Sequence, residues 1–284
     1  MMKLISTTLL ILAVASGLTS CVIGNKSYPT PIETTANRQA NKTLMSPTLG
    51  GKLYTSAWIQ RSAEYKALCL QAYNIASLRL DAATAKPLQS GQKPWAIVTD
   101  IDETILDNTP NAVHQALKGE DYTDASWDEW CDRAEADTLA GARDFFLRAD
   151  KAGVKIFYIS NRNEKNKAGT LRNLKAFGFP QVVDSQLILR STTSDKTARR
   201  NYVLEQYNIL MLIGDNLGDF DHIFDSSNEL ERKAGLNRFV KEFGNRFIVL
   251  PNPNYGTWEK AMNQGYPPLF EKDKKLKSTL LRNY

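Results

Sequence analysis

Val98-Thr99-Asp100-Ile101-Asp102-Glu103-Thr104-Ile105-Leu106-Asp107-Asn108 is the stretch on which the fold turns. A short apolar run, Trp95 to Val98, precedes the acidic residues and reads as a buried strand. Asp100, Asp102 and Glu103 then crowd together at its end. Packed beside a core strand, they would repel one another and raise one another's pKa values. A fold tolerates this if a divalent cation sits there, or if one carboxyl stays protonated for chemistry. Asp-x-Asp after a strand offers both: the first carboxylate can ligate a hard cation and attack phosphorus, and the second can handle a proton. Taken alone, the same residues also read as a solvated acidic turn after an edge strand.

Working outward, strands and helices alternate. Trp58, Tyr65, Leu68, Ala72, Ile75 and Arg79 follow helical spacing and predict one long amphipathic helix from Tyr54 to about Ala83. Lys86 to Pro94 is a polar break before the first strand. Asn108 to Thr138, with Tyr122, Trp127 and Trp130, interrupts the alternation directly after the motif, where a cap over a site can be inserted. A helix from Ala140 to Lys151 leads to a strand, Val154 to Ile159, that closes on Ser160-Asn161-Arg162. A helix from Lys165 to Phe177 stops at Gly178. Leu187 to Leu189 is a short strand, and a helix from Asp195 to Tyr207 opens with Lys196. The buried strand Ile209 to Ile213 closes on Gly214-Asp215-Asn216-Leu217-Gly218-Asp219-Phe220. A helix from about Glu229 to Phe243 and a strand from Phe247 to Leu250 precede Pro251-Asn252-Pro253-Asn254-Tyr255-Gly256. The pattern predicts an α/β fold: a Rossmann-like, mainly parallel sheet with helices on both faces, plus a smaller, mostly helical cap.

Polar groups now stand at successive strand ends, where sites gather in open α/β sheets. Asp100 and Asp102 come from the first strand, Ser160 from the second, Lys196 from a helix start, and Asp215 with Asp219 from a later strand end. This set suits phosphoryl transfer through an aspartyl-phosphate. A carboxylate nucleophile needs a cation against the phosphate's charge, and Mg²⁺ takes oxygen ligands and keeps waters. A hydroxyl and a lysine can neutralise the remaining phosphoryl oxygens.

The rest of the chain narrows the alternatives. It has 284 residues, 42% of them hydrophobic, enough for one large core or a core with a cap. A net charge of +5 without a basic face gives no indication of a nucleic-acid polymer as partner. His114 and His222 are too isolated for a His-rich zinc site, and no Gly-x-Ser-x-Gly elbow occurs. Met1-Met2-Lys3 and the apolar run Leu9 to Leu18 have the length and flanks of a secretory signal. The run ends Leu18-Thr19-Ser20-Cys21, which resembles a bacterial lipobox; cleavage there would leave Cys21 as a lipidated N-terminus, anchored stably by several acyl chains. Val22, rather than aspartate, follows it and points to an outer membrane where the cell has one. Residues 1–20 are therefore the expected signal, 21–52 a lipidated start and flexible tether, 53–270 the catalytic domain, and 271–284 a solvated, lysine-rich tail. Cys69 and Cys131 remain in the mature body; export permits a disulfide, and two separate buried thiols fit equally well. A homodimer is left open.

The constellation resembles the haloacid dehalogenase superfamily of phosphotransferases. Asp100-Ile101-Asp102-Glu103-Thr104 with Leu106, paired with Gly214-Asp215-Asn216-Leu217-Gly218-Asp219-Phe220, is similar to the bipartite signature of class C acid phosphatases, the bacterial lipoprotein phosphatases. The segments around Ser62 to Asn74, Lys196-Thr197-Ala198-Arg199 and Asn254-Tyr255-Gly256 extend the resemblance over roughly residues 54 to 266. It implies a surface enzyme acting on small phosphomonoesters, with 5′-nucleotides and nicotinamide mononucleotide prominent. Asp100 would be nucleophile and metal ligand, and Asp102 the general acid, then base, with its backbone carbonyl on Mg²⁺. Asp215 would be the third protein ligand, and Asp219 would support the metal's waters. Ser160 and Lys196 would hold the phosphoryl group beside Asn161 and Arg162. Tyr255 would stack on a nucleobase or nicotinamide ring, with Tyr122 as an opposite face. Two residues depart from the family: Thr99 replaces a small apolar residue, and Asn111 stands where tyrosine is usual, which bears on substrate preference. A dedicated sugar- or lipid-phosphate phosphatase, or a binding lipoprotein with a vestigial catalytic fold, are the alternatives.

Overall fold

A computed structural model of the chain describes residues 46–278 and 280–284. Cys21, the signal and most of the tether lie outside them.

Five parallel strands form the centre: β1 (Trp95–Thr99), β4 (Lys155–Asn163), β5 (Leu187–Arg190), β6 (Asn208–Gly214) and β7 (Phe247–Val249), in the order β5-β4-β1-β6-β7. The period of two along each strand sorts side chains onto two faces. Ile97, Ile156, Tyr158, Met211 and Ile213 face one apolar cluster, and Ala96, Val98, Phe157, Ile159 and Leu212 face the other. Two helices, α1 (Pro47–Arg61) and α2 (Ala63–Thr84), precede the sheet. On the first face, the Tyr73 ring of α2 meets Phe145 and Phe146, at 5.7 and 6.2 Å between ring centres. Both phenylalanines lie on α5 (Ala142–Lys151). On the second face, Val203 of α7 (Thr197–Gln206) and Phe220 cover the sheet. Burying a side chain such as Phe146 or Leu80 contributes about 1.5–3 kcal/mol, so packing against these helices stabilises the sheet that carries the site.

A small antiparallel ribbon follows β1. Its strands β2 (Leu106–Asp107) and β3 (Asp137–Thr138) pair Leu106 with Thr138 and Asp107 with Asp137. The ribbon brackets α3 (Thr109–Lys118) and α4 (Asp124–Arg133), the helices of the expected cap. Asn111 is buried there, and its Oδ1 accepts a 2.7 Å bond from Ser126 Oγ, which ties α3 to the first turn of α4. The remaining helices are α6 (Lys167–Ala176), α8 (Glu229–Arg238), α9 (Thr257–Asn263) and α10 (Leu269–Ser278).

Three sequence expectations are corrected. The single helix from Tyr54 to Ala83 is two helices, because Ser62 is extended and its hydroxyl caps α2 by accepting from Tyr65 N at 3.1 Å. Helix α1 begins at Pro47, with Ser46 as its cap, so the end of the stretch 21–52 read as tether is helical. The lysine-rich tail is largely the helix α10. Its Asp273 bonds Ser46 Oγ at 2.7 Å and Thr48 N at 3.1 Å, and its buried Lys272 pairs with Asp121 at 2.7 Å and Glu259 at 2.9 Å. Burial disfavours ionisation of Asp121, yet the ammonium groups of Lys52 and Lys272 outweigh it and hold the carboxyl at about 2. Cys69 and Cys131 are both free and buried.

Candidate active site

The site starts where β1 ends. Asp100 N donates to Ile213 O at 2.8 Å, so the first aspartate is still held by the sheet. The chain then turns tightly: Ile101 O accepts from the backbone N–H of both Ile105 and Leu106 at 2.9 Å. Glu103 takes the left-handed conformation, with φ of 53°, which is uncommon outside glycine. Its buried carboxylate is fixed from two sides. Asn108 N donates to it at 2.7 Å, and the Tyr255 hydroxyl donates to it from the loop after β7. Burial first, and repulsion from Asp102 and Asp215 next, hold the Glu103 carboxyl well above its ordinary range.

The turn sends the two aspartates in different directions. Carboxylate oxygens of Asp100, Asp215 and Asp219 lie within 4.8 Å of one another. Lys196 Nζ, contributed by the residue before α7, bridges Asp100 Oδ1 at 2.5 Å and Asp219 Oδ1 at 2.7 Å. Asp215 accepts from Thr104 Oγ1 at 3.2 Å and Asn252 Nδ2 at 2.8 Å. Asp219 reaches this cluster because Gly214 has no side chain: a Cβ there would lie 2.4 Å from the Asp219 carboxylate. The Asp219 carboxylate, which the sequence reading set behind the metal's waters, stands near those of Asp100 and Asp215, its Oδ1 on Lys196 and its Oδ2 accepting from Asn216 N at 3.0 Å.

Three carboxylates against one ammonium leave an excess of negative charge. At such separations each like-charged pair repels by roughly 3.5 kcal/mol at an effective dielectric of about 20. The balance shows in the groups themselves. Burial pushes the Asp100 carboxyl up, Lys196 pulls it back, and Asp219 and Asp102 push it up again, to about 7. Burial and the charges of Asp219 and Asp100 likewise hold Asp215 well above the ordinary carboxylate range. Hard, converging oxygen donors with uncompensated charge fit a divalent cation.

Lys196 itself is buried, with 4% of its side chain exposed, and its two aspartates outweigh the burial that disfavours its charge. Removing it leaves those carboxylates unpaired. Lys196→Met should therefore lower stability by about 3–5 kcal/mol in chelator-treated protein. Urea denaturation at neutral pH measures this, and an unchanged midpoint would show that the pair carries no net stabilisation.

Asp102 points elsewhere. Its Oδ1 accepts from Arg162 Nε and from Asn108 Nδ2, each at 2.9 Å, and lies 2.8 Å from a second Arg162 nitrogen in an ion pair. Its Oδ2 accepts from Ser160 Oγ at 3.0 Å. Ser160 and Arg162 lie within β4, which runs past the predicted strand end to Asn163. Asn161 between them is exposed and accepts from Arg199 at 2.7 Å, while Arg199 also donates to Ser160 O at 2.7 Å. The structure thus brings Asp100, Asp102, Ser160, Arg162, Lys196, Asp215 and Asp219 to one edge of the sheet. Tyr255 reaches that edge through Glu103. Tyr122 is 56% exposed on the cap; its ring meets Trp127 at 6.2 Å, and no ring contact joins it to Tyr255 among the described residues. Sequence reasoning missed Asn108, Thr104, Arg199 and Asn252. Asn108 stands inside the opening motif and could have been noticed, but nothing near Asn252 marks it.

Comparison with known proteins agrees with this geometry. Residues 26–258 match the model of the HAD superfamily, subfamily IIIB (acid phosphatase). The chain belongs to this family. The class C acid phosphatase of Bacillus anthracis superposes with a TM-score of 0.78 at 36% identity, over 84% of this chain and 99% of that one. The same protein with tungstate bound gives 0.77 at 35% identity, over 84% and 98%. Acid phosphatase 1 of Solanum lycopersicum is 29% identical over 165 residues, 58% of this chain and 59% of its own length. A stem 31 kDa glycoprotein of Glycine max is 32% identical over 163 residues, 55% of this chain and 57% of its own. The chain thus spans somewhat over half the length of these two plant relatives. The subfamily IIIB match and the parallel core bear out the class C resemblance and the α/β fold read from the sequence.

Proposed function

We propose that the chain is a Mg²⁺-dependent acid phosphatase that hydrolyses small phosphomonoesters through an aspartyl-phosphate on Asp100. One observation carries the reading. Two carboxylates two residues apart occupy opposite environments, Asp100 among cation-seeking carboxylates and Asp102 among hydrogen-bond donors. Such separation assigns different roles to similar groups. Asp100, Asp215 and Asp219 would hold the cation, with the Asp102 backbone carbonyl, and the cation would offset negative charge between carboxylate and phosphate.

The chain's own residues do the rest. Asp100 attacks phosphorus, and the ester P–O bond breaks. Asp102 Oδ1 is held by Arg162 and Asn108, whereas Oδ2 meets the Ser160 hydroxyl, which can rotate to a phosphoryl oxygen, so Oδ2 is the oxygen that carries the proton to the leaving alkoxide. In the second step Asp102 takes a proton from water, which attacks phosphorus, frees Asp100 and releases phosphate. Lys196 and the Ser160 hydroxyl hold phosphoryl oxygens as charge redistributes. Tungstate, bound by the Bacillus anthracis relative, is a tetrahedral oxyanion like phosphate, which supports this use of the site. 5′-Nucleotides and nicotinamide mononucleotide are the favoured substrates, because the Tyr255 loop borders the motif turn.

The test is phosphate release from a panel of 5′-nucleotide, nicotinamide mononucleotide, sugar and glycerol phosphates, before and after EDTA. The expected result is turnover that chelation abolishes and Mg²⁺ restores, with the aromatic substrates fastest. Full activity in EDTA would remove the cation from the mechanism, and no turnover of any ester would leave a binding protein.

A further inference from the structure

We propose that helix α4 of the cap sets the orientation of the acid Asp102 through Trp130 and Asn108, so that Trp130 is a positioning residue for protonation of the leaving group. The inference rests on the reading of Asp102 as that acid.

The Asn108 side chain is buried, at 2% exposure. Its Nδ2 donates to Asp102 Oδ1 at 2.9 Å. Its Oδ1 accepts from Trp130 Nε1 at 2.8 Å and from an Arg162 nitrogen at 3.2 Å. An indole N–H can only donate, and a guanidinium can only donate. The Asn108 oxygen must therefore face Trp130 and Arg162, which turns its NH₂ toward Asp102. With the amide reversed, its oxygen would face a carboxylate oxygen and its NH₂ would face two donors. Trp130, at the shorter distance, acts with Arg162 on the oxygen and with Glu103 Oε2, which accepts from the NH₂ at 3.4 Å, to select the one amide orientation in which Asn108 supports Asp102.

The same helix acts on the second support. Trp127, one turn before Trp130 and on the same face of α4, lies 5.5 Å from the Arg162 guanidinium, ring to cation. Arg162 is almost fully buried, with 1% of its side chain exposed; it donates to Asp102 Oδ1 from Nε and pairs with the same oxygen through a second nitrogen. Both supports of that oxygen therefore meet α4, although Arg162 also donates to Thr170 Oγ1 of α6 at 3.0 Å, whereas Oδ2 contacts Ser160 of the core. The position of the cap helix determines where the proton-bearing oxygen points.

Trp130→Phe removes the N–H and keeps an aromatic ring in the packing. The measurement is kcat/KM for an alkyl phosphate, a poor leaving group, divided by that for an aryl phosphate with a good one. This ratio cancels any loss of folded protein. It should fall about 2- to 12-fold, the equivalent of one neutral hydrogen bond. In an Asp102→Asn background the same change should leave the ratio where it is. The ¹⁵N–¹H signal of the Trp130 indole should also shift when Asp102→Asn alters the far end of the relay. Equal losses on both substrates in an active enzyme would overturn the positioning role alone. A wild-type protein without phosphatase activity would overturn the functional reading and this inference with it.

Discussion

Asp100→Asn protein should fold normally and hydrolyse phosphomonoesters about 10⁴- to 10⁶-fold more slowly than wild type, the scale on which covalent enzymes fail without their nucleophile. The carboxamide is nearly isosteric and still accepts from Lys196, so the 2.5 Å contact has a replacement. It also removes a negative charge from an overcrowded cluster, which spares the fold. What it cannot do is form the acyl-phosphate. Rapid-quench detection of a phosphorylated enzyme in wild type, and its absence in the variant, checks the step directly. A folded Asp100→Asn protein with near-normal turnover would sink the mechanism.

Asp102→Asn should cost about 10²- to 10⁴-fold, the usual contribution of a general acid. The loss should be greatest for alkyl esters, whose leaving groups need the proton most. The local geometry favours a clean test. An asparagine can present its oxygen to Arg162 and Asn108, which now lie 2.8–2.9 Å from Oδ1, and its NH₂ to Ser160. Steady-state rates across esters of graded leaving-group pKa measure the effect. A uniform loss along that series would mean that Asp102 organises the site without supplying the proton.

Much of this was readable from residues alone, for a physical reason. β1, β4 and β6 are buried on both faces, so each reads as an apolar run, and the polar residue that ends the run stands out. Asp100, Ser160 and Asp215 were found that way, and Lys196 by its place at a helix start. What escaped depends on partners far along the chain. Residues 46–52 are polar enough to pass for a tether, and the Asp273 contact at the start of α1 is supplied from more than two hundred residues away. Lys272 reads as one solvated lysine among several until Asp121 and Glu259 enclose it. The break at Ser62 turns on one hydroxyl, which helical periodicity does not register. Asn252 reaches Asp215 from a loop whose sequence signals only a turn.

The two-residue ribbon of β2 and β3 has a consequence for how such an enzyme diversifies. Because Leu106 pairs with Thr138 and Asp107 with Asp137, the two ends of the intervening segment are clasped side by side. The entropy of closing that loop is met at the clasp, and each doubling of the enclosed length adds only about 0.6 kcal/mol. Changes of length between the clasped ends are therefore cheap in closure entropy, while Asp121, Trp127 and Trp130 tie the segment to Lys272, Arg162 and Asn108. Asn108, just inside the clasp, and Trp130, within the segment, are fixed points of that freedom, since together they join it to Asp102.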